Sequence, residues 1–118
     1  MKYLVLIYGS EAAAAKMTEA EQKAEMDEYM AYTDLLEKAK GHLGGEALQP
    51  TSTATTIRVR NGKAQHTDGP FAESKEQLGG FYLIEAANLE KALELGAACP
   101  GAKTGCVEVR PVIDFGAM

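Results

Sequence analysis

The chain has 118 residues, of which 46% are hydrophobic and 25% charged, and this balance is typical of a single globular domain with one core. A core of this size needs neither a disulfide nor a structural metal to fold. The net charge of −5 and the lack of a Lys and Arg cluster argue against nucleic acid as a partner, because binding a phosphate backbone needs a local excess of positive charge.

The first predicted element is a strand over residues 3–8. This apolar run is rich in β-forming residues and is bounded by Gly9 and Ser10. Both of its faces are apolar, which predicts burial on both sides. A helix needs about 20 residues to span a bilayer, so the run predicts no membrane segment. The run is also too short for the apolar part of a signal peptide, and Glu11 interrupts any longer apolar stretch.

A long helix is predicted over residues 18–40. Thr18 and Glu21 have the spacing of a capping box, in which each side chain satisfies a backbone donor at the helix start. Lys40 and Gly41 supply the cation and the glycine typical of a helix end. Apolar and small residues recur at three- and four-residue spacing, which predicts that one stripe faces the core: Met26, Tyr29, Met30, Thr33 and Leu36.

The middle of the chain predicts a strand followed by a hairpin. Residues 43–48 form a glycine-weakened strand that ends before Pro50. The segments 55–60 and 63–67 alternate in character and flank Asn61-Gly62, which is the preferred two-residue hairpin turn because both positions need positive φ.

The hairpin is followed by the turn Asp68-Gly69-Pro70-Phe71. Pro70 fixes its own φ and favours an extended Gly69, and we expect Phe71 to anchor the turn. Ser74 and Gln77 repeat the capping-box spacing, which predicts one helical turn closed by Gly79-Gly80.

Three further elements complete the chain. Residues 81–85 predict a second strand with two apolar faces. Asn88 caps a helix that continues through Ala98, with inward positions predicted at Leu89, Ala92, Leu93 and Gly96. The last strand covers 106–112 and is expected at a sheet edge, because Pro111 cannot donate to a ladder.

The order β-α-β, hairpin, β-α-β predicts one α+β domain over residues 1–118, a ferredoxin-like sandwich with an extra β-hairpin. Two helices can cover only one face of its sheet, whereas strands 3–8 and 81–84 are apolar on both faces. The simplest cover for the second face is another copy of the same sheet. We therefore predict a homodimer with the two sheets facing each other.

Several segments, which together span nearly the whole chain, resemble one known family: Lys2-Tyr3-Leu4, Gly44-Gly45-Glu46, 53–60, the long run 68–85 and 107–112. They are similar to the DGPF branch of the YCII-related proteins. The resemblance implies a dimeric α/β barrel built from ferredoxin-like subunits, in agreement with the two-sided strands. Many YCII-related proteins carry a His on the first helix with an Asp nearby, a pair suited to acid–base chemistry. This chain has no His within residues 18–40, so the resemblance implies only the Asp of that pair here, at Asp68.

His66 and Asp68 are the candidate catalytic residues. They lie two apart in an extended segment and so can point to one side, where a His beside a carboxylate is a plausible general base. The alternative is structural. His66 then closes a polar hairpin arm, and Asp68 bonds to its own downstream backbone amides.

Three charged residues are candidates for substrate binding. Glu46 follows two glycines, which leave room for a ligand or mark a bulge. Arg58 holds an anion in a cleft or faces solvent. Glu73 contributes to the same pocket or simply decorates a helix start, where negative charge is favoured.

Cys99 and Cys106 lack the short spacing of a metal knuckle, and the two histidines do not complete a ligand set. We expect no metal and no cofactor. Such a low cysteine content fits a reducing compartment, and the expected location is the cytoplasm.

Two hypotheses for function follow from these residues. In the first, the chain is a small-molecule enzyme of lyase or isomerase type, with a pocket near the dimer interface and acid–base chemistry at Asp68 together with Glu46 or His66. In the second, the same pocket belongs to a non-catalytic ligand-binding or regulatory module. The residues alone leave open whether the protein is an enzyme.

Overall fold

The computed structural model describes residues 1–117. Within them the chain forms six strands, namely β1 (Lys2–Gly9), β2 (His42–Ala47), β3 (Thr55–Arg60), β4 (Lys63–Asp68), β5 (Gln77–Glu85) and β6 (Cys106–Pro111). It also forms four helices, namely α1 (Glu11–Ala14), α2 (Glu19–Lys38), α3 (Leu89–Ala97) and α4 (Gly101–Thr104). Short 3-10 turns cover Thr51–Thr53 and Phe115–Ala117. The short helices α1 and α4 were not predicted.

Four strands form an antiparallel sheet in the order β2-β5-β1-β6, and β3 and β4 form a separate antiparallel hairpin. The predicted α+β class is therefore confirmed, as is the edge position of the last strand. The sheet is open between its edge strands β2 and β6, so the described part of one chain forms no closed barrel. No helix among the described residues is long and apolar enough to cross a membrane.

The hydrophobic core lies between the helices and one face of the four-stranded sheet. Its buried members are Tyr3, Val5, Tyr32, Leu36, Ile84, Ala86, Ala92 and Cys99. The ring of Tyr32 meets that of Tyr82 edge to face with centroids 5.1 Å apart, and its hydroxyl donates to the Leu95 carbonyl at 2.8 Å. A buried tyrosine is tolerated here because its hydroxyl has a partner.

The start of α2 is as predicted, and its inward stripe is predicted in part, since Leu36 is buried and Tyr29 and Thr33 are partly buried. Thr18 Oγ1 accepts from the Glu21 N–H at 3.1 Å, and Glu21 Oε1 accepts from the Thr18 N–H at 3.0 Å, which lowers the pKa of the Glu21 carboxyl. Met26 and Met30, predicted inward, are 65% and 63% exposed. The core stripe instead runs through tyrosine rings and Leu36, because Tyr32 supplies both apolar area and a satisfied hydroxyl.

The predicted helical turn after Ser74 is wrong. Residues 72–76 form bends without helix, and Gly79 and Gly80 lie inside β5. A Cβ at Gly80 would lie 2.9 Å from the Glu46 carbonyl oxygen. Glycine here therefore permits the close pairing of β2 and β5 and does not end a helix.

The DGPF turn also differs from expectation. Gly69 has a φ of +102°, a conformation that glycine adopts readily and other residues avoid. Phe71 does not anchor the turn, since its side chain is 77% exposed. Asp68 makes no hydrogen bond within residues 1–117, and the turn is closed instead by the Gly69 N–H, which donates to the Ala54 carbonyl at 2.7 Å.

Helix α3 begins as predicted, with Asn88 Oδ1 accepting from the Lys91 N–H at 2.9 Å. Of its predicted inward residues, the small Ala92 and Gly96 are buried while Leu89 and Leu93 are exposed. A Cβ at Gly96 would lie 2.7 Å from a Val109 methyl group. The helix thus approaches the sheet closely along its small residues, and the leucines fall to either side.

The hairpin stands apart from the rest of the chain. Its Asn61-Gly62 turn has the predicted positive φ values, 53° and 75°. We call residues 55–68 the arm, and among the described residues it packs extensively against no other helix or strand. The chain is flat and extended, 48 × 47 × 18 Å, with a radius of gyration of 16.3 Å. A compact domain of this length has about 13 Å.

The accessible surface is correspondingly large. It measures 8625 Å², whereas a compact monomer of 12.6 kDa exposes about 6,200 Å². The chain therefore leaves uncovered a substantial area that a compact monomer of its mass would bury.

The end of α2 shows a strained residue. Lys40, and not the predicted Gly41, is in the left-handed region with φ of 57°. The Gly41 N–H donates to the Leu36 carbonyl at 2.8 Å and the Lys40 N–H to the Glu37 carbonyl at 2.9 Å, which is the Schellman motif. Gly41 is needed next to it, because a Cβ there would lie 2.7 Å from the Glu85 carbonyl oxygen.

We predict that Lys40→Gly stabilises the protein by about 1 kcal/mol, because glycine accepts the left-handed conformation without steric cost. The midpoint of thermal unfolding should rise by about 3–6 °C. Lys40→Ala is the matched control, since it removes the same charge but keeps a Cβ. Equal midpoints for the two variants would contradict the assignment of strain to Lys40.

Candidate functional site

The face of the four-stranded sheet away from the helices has no cover within the described chain. We call it the open face, and the strand register places on it alternate residues of each strand: Leu4, Leu6 and Tyr8 of β1; Leu78, Phe81 and Leu83 of β5; Gly44 and Glu46 of β2; Cys106, Glu108 and Arg110 of β6. Its central side chains are half-buried by one another. Its centre is thus apolar and its charges lie at the edges.

One row of residues crosses the whole open face. Glu46 pairs with Phe81, Phe81 with Leu6, and Leu6 with Glu108. Adjacent strands are about 4.8 Å apart, so the two carboxylate-bearing residues are about 14 Å apart with an aromatic ring and a leucine between them. This spacing leaves an apolar floor wide enough for a small ring or chain.

The next row contains an empty position. Gly44 pairs with Leu83, Leu83 with Leu4, and Leu4 with Arg110. A Cβ at Gly44 would meet nothing within 4 Å. The space that we predicted beside Glu46 is therefore present, and it lies on the same face of the sheet as the Glu46 carboxylate.

Arg110 and Glu108 form an ion pair at the opposite edge. Arg110 Nε donates to Glu108 Oε2 at 2.9 Å, and this hydrogen bond raises the pKa of the Arg110 guanidinium. Neither residue was predicted as part of a site. The sequence does indicate that these two residues lie on one face, because side chains alternate along a strand and positions 106, 108 and 110 must share a face.

The arm carries three of the predicted site residues. His66 pairs with Ile57 and Asp68 with Thr55, so the two candidate catalytic side chains lie on one face of the hairpin. They make no hydrogen bond to each other or to any other described residue. Arg58 lies on the opposite face, where its guanidinium is 5.2 Å from the centroid of the Phe71 ring. This is a cation–π contact, not an ion pair.

Glu73 lies exposed in the irregular segment between the arm and β5. Since that segment contains no helix, the predicted role at a helix start is wrong. One chain thus brings His66 and Asp68 to the same face but leaves Glu46 on a different sheet. The five predicted residues do not gather into one pocket within residues 1–117.

Two grooves lie elsewhere, on the helical side. Both border α2, at Ala31 and Leu35, and one extends to Cys99, Pro100 and Lys103. Neither is lined by a predicted site residue. They are shallow and open, unlike the concave sites that enclose a small molecule.

The two cysteines differ in their surroundings. Cys99 is buried beside Tyr29, and burial raises the pKa of its thiol, which disfavours the reactive thiolate. Burial likewise raises the pKa of the Tyr29 and Tyr32 hydroxyls. Cys106 is exposed on the open face. In the described part of the chain, no three His, Cys, Asp or Glu side chains are grouped to hold a metal ion.

The fold and this face define a class of protein. It is a small α+β domain with helices on one side of an antiparallel sheet and an apolar, charge-edged face on the other. The sequence profile of the YCII-related domain matches residues 1–116. An uncharacterized protein of Rhizobium meliloti (strain 1021) is 41% identical over 115 residues, which cover 95% of this chain and 92% of that relative. The chain belongs to the YCII-related family.

We predict that two neighbouring glycines of β2 respond oppositely to substitution by alanine. A Cβ at Gly45 would lie 2.6 Å from the Phe81 carbonyl oxygen, so Gly45→Ala should destabilise the protein by about 1–3 kcal/mol. Gly44→Ala should be neutral or slightly stabilising, because its Cβ would enter open space. Denaturant unfolding of the two variants measures the difference. Equal losses would show that the open face is not empty at Gly44.

Proposed function

We propose that this protein is a member of the DGPF branch that handles a small molecule as a homodimer of ferredoxin-like subunits. The open faces of two copies lie toward each other, as in a dimeric α/β barrel, and the ligand lies between them near Glu46. The open face, apolar at its centre and charged at its edges, is the observation that carries this proposal.

The case for a second copy comes from uncovered area. Strands β1 and β5 present apolar side chains on both faces, and the helices cover one. A specific interface of standard size removes about 800 Å² from each partner, and the chain exposes about 2,400 Å² more than a compact monomer. Another copy of the same sheet offers a complementary apolar surface without any further partner.

The case for a small molecule comes from the residues of the two rows. Binding pockets are mostly apolar with a few placed polar groups, and they form preferentially at interfaces between domains. Phe81, Leu6 and Leu83 supply an apolar floor, Gly44 supplies room, and the Glu46 carboxylate supplies a hydrogen-bond acceptor. This combination suits a small, largely apolar molecule that carries a hydrogen-bond donor.

Acid–base chemistry is the reaction class that these residues support. Glu46 and Asp68 carry carboxylates and His66 an imidazole, and these are the side chains that most often serve as general acids and bases. A lyase or an isomerase needs a proton removed at one atom and returned at another, which two such groups can perform. Glu73 is proposed to contact the substrate's polar groups, whereas Arg58, whose guanidinium lies over the Phe71 ring on the opposite face of the arm, is not.

One observation favours the alternative of a non-catalytic ligand-binding or regulatory module. The His66 ring has no hydrogen-bond partner among residues 1–117. No described residue therefore orients this imidazole, as a third group does in known acid–base pairs. In this alternative the same ligand binds to the same face without being converted.

We place either form of the protein in the cytoplasm, and its two unpaired cysteines support that compartment.

We predict that Leu83→Lys converts the dimer to a monomer with its secondary structure intact. The substitution puts a charge at the centre of the open face, where it would be desolvated in the dimer but solvated in a single chain. Light scattering on purified protein gives the mass, and far-ultraviolet circular dichroism monitors the fold. Met26→Lys, an equal change at an exposed position on α2, should leave the dimer unaffected. A monomeric wild-type protein at micromolar concentration would refute the dimer.

For the ligand, we predict that native mass spectrometry of the purified protein detects a bound small molecule. Glu46→Gln should reduce its occupancy about tenfold through loss of a charge-assisted hydrogen bond. Glu37→Gln on the helical side is the control and should retain it. Equal occupancy of the ligand in both variants would show that Glu46 does not contact it.

Asp68→Asn separates the two candidate functions. Because Asp68 makes no hydrogen bond within the described residues, the substitution should change stability by less than about 0.5 kcal/mol. An enzyme would keep the ligand but lose its conversion, whereas a binding module converts nothing in either form. Marked destabilisation of the protein by Asp68→Asn would show that Asp68 stabilises the turn and is not a catalytic residue.

A further inference from the structure

The arm has two chemically distinct faces. One face carries Ile57, Val59, Ala64 and His66, with Thr55 and Asp68 at its base. The other carries Thr56, Arg58, Arg60, Lys63, Gln65 and Thr67. Alternation of this kind is typical of a sheet that buries one face and leaves the other in water.

The arm's apolar face has nothing to cover it in its own chain. Ile57 and Val59 are 59% and 60% exposed, and every residue of β4 is exposed. A two-stranded hairpin is only marginally stable by itself in water. An amphipathic hairpin of this length therefore gains most by packing its apolar face onto another surface.

The base of the arm is held firmly, so the arm has a defined direction. Thr56 Oγ1 donates to the Gly69 carbonyl at 2.8 Å, and Pro70 restricts the backbone that follows. The Glu11 carboxylate accepts from the Thr51 N–H at 2.8 Å and from its hydroxyl at 2.6 Å. These hydrogen bonds order the chain between β2, the strand that carries Glu46, and the arm, and an ordered segment loses little entropy on docking.

Charge distinguishes the possible targets of the arm. It carries three cations (Arg58, Arg60 and Lys63) and one carboxylate, a net charge of +2, which leaves −7 on the rest of a chain whose total is −5. Two arms packed together would place two segments of net positive charge side by side. An arm on the body of another copy places segments of opposite net charge near each other, which favours that pairing.

We propose that the arm of each copy docks on the second copy of this chain, over the β2 edge of its open face, and completes the site there. His66 of one copy then lies beside Glu46 of the other, and Ile57 and Val59 lie against that copy's apolar floor. The site is composite, with its base candidates from one chain and its floor from the other. This inference rests on the proposed homodimer and names the segment of the partner that closes its pocket.

The composite site accounts for the scatter of candidate residues in one chain. His66 and Asp68 lie on the arm's apolar face, which is the face that must be covered. Glu46 lies on the open face, which is the other uncovered apolar surface. Docking one on the other covers both surfaces and brings the two sets of residues together.

Cross-linking between differently tagged copies tests this geometry. Two proteins are made with Cys106→Ser, one carrying His66→Cys and the other Glu46→Cys, while Cys99 stays buried and unreactive. The copies are mixed, allowed to exchange and treated with a short bis-maleimide. We expect at least a fivefold higher yield of cross-linked mixed dimer than for Gln65→Cys paired with Glu46→Cys, because Gln65 lies on the opposite face of the arm.

Each alternative gives a different result. His66→Cys linked mainly to itself would show that two arms pack together, which overturns the inference. A dimer by light scattering with no arm-to-sheet cross-link would also overturn it while leaving the proposed dimer standing. A monomer would overturn both. Ala64→Cys, on the same face as His66, repeats the test if His66→Cys does not fold.

Discussion

The structure depends on one constraint, which is that two central strands are apolar on both faces while the chain has helices for only one. Tyr3, Val5 and Ile84 pack under the helices and are almost fully buried. Leu4, Leu6 and Leu83, their neighbours along the same strands, face the other way and remain half-buried. Full burial of such a side chain from an exposed state is worth about 1.5–3 kcal/mol, so covering the part that remains exposed favours association.

The same constraint explains why the candidate residues are dispersed in a single chain. Carboxylates and an ion pair lie at the edges of the open face, and a histidine and an aspartate lie on an arm that contacts little else in its own chain. A monomer with this arrangement holds no enclosed pocket around them. In the proposed dimer a second copy would supply both the missing wall and the missing side chains, so ligand binding would depend on association of the two copies.

Sequence patterns predicted the strands, the hairpin and both principal helix starts, because each is set by local chemistry. Asn61-Gly62 and the Thr18 capping box are examples in which neighbouring residues decide the backbone. The failures arose where tertiary contacts decide. Tyr32, whose hydroxyl donates to the Leu95 carbonyl, is buried where methionine was predicted, and Gly80 serves strand pairing because its Cβ would lie 2.9 Å from the Glu46 carbonyl oxygen.

For the site, the residue types were predictable and their grouping was not. Glu46 emerged from its glycine-rich surroundings, whereas Glu108 and Arg110 became visible only when the strand order placed β6 beside β1. Periodicity says which residues share a face of one strand. It does not say which strands are neighbours, and a site that spans four strands depends on that order.

Oxidative footprinting of side chains at two protein concentrations tests burial of the open face most directly. At micromolar concentration the account predicts strong protection of Phe81, Leu6 and Leu83, which is lost on dilution below the dissociation constant of the dimer. Met26 and Met30, exposed on α2, should react equally at both concentrations. Open-face residues whose reactivity does not change with concentration, in a protein of monomer mass, would contradict the account.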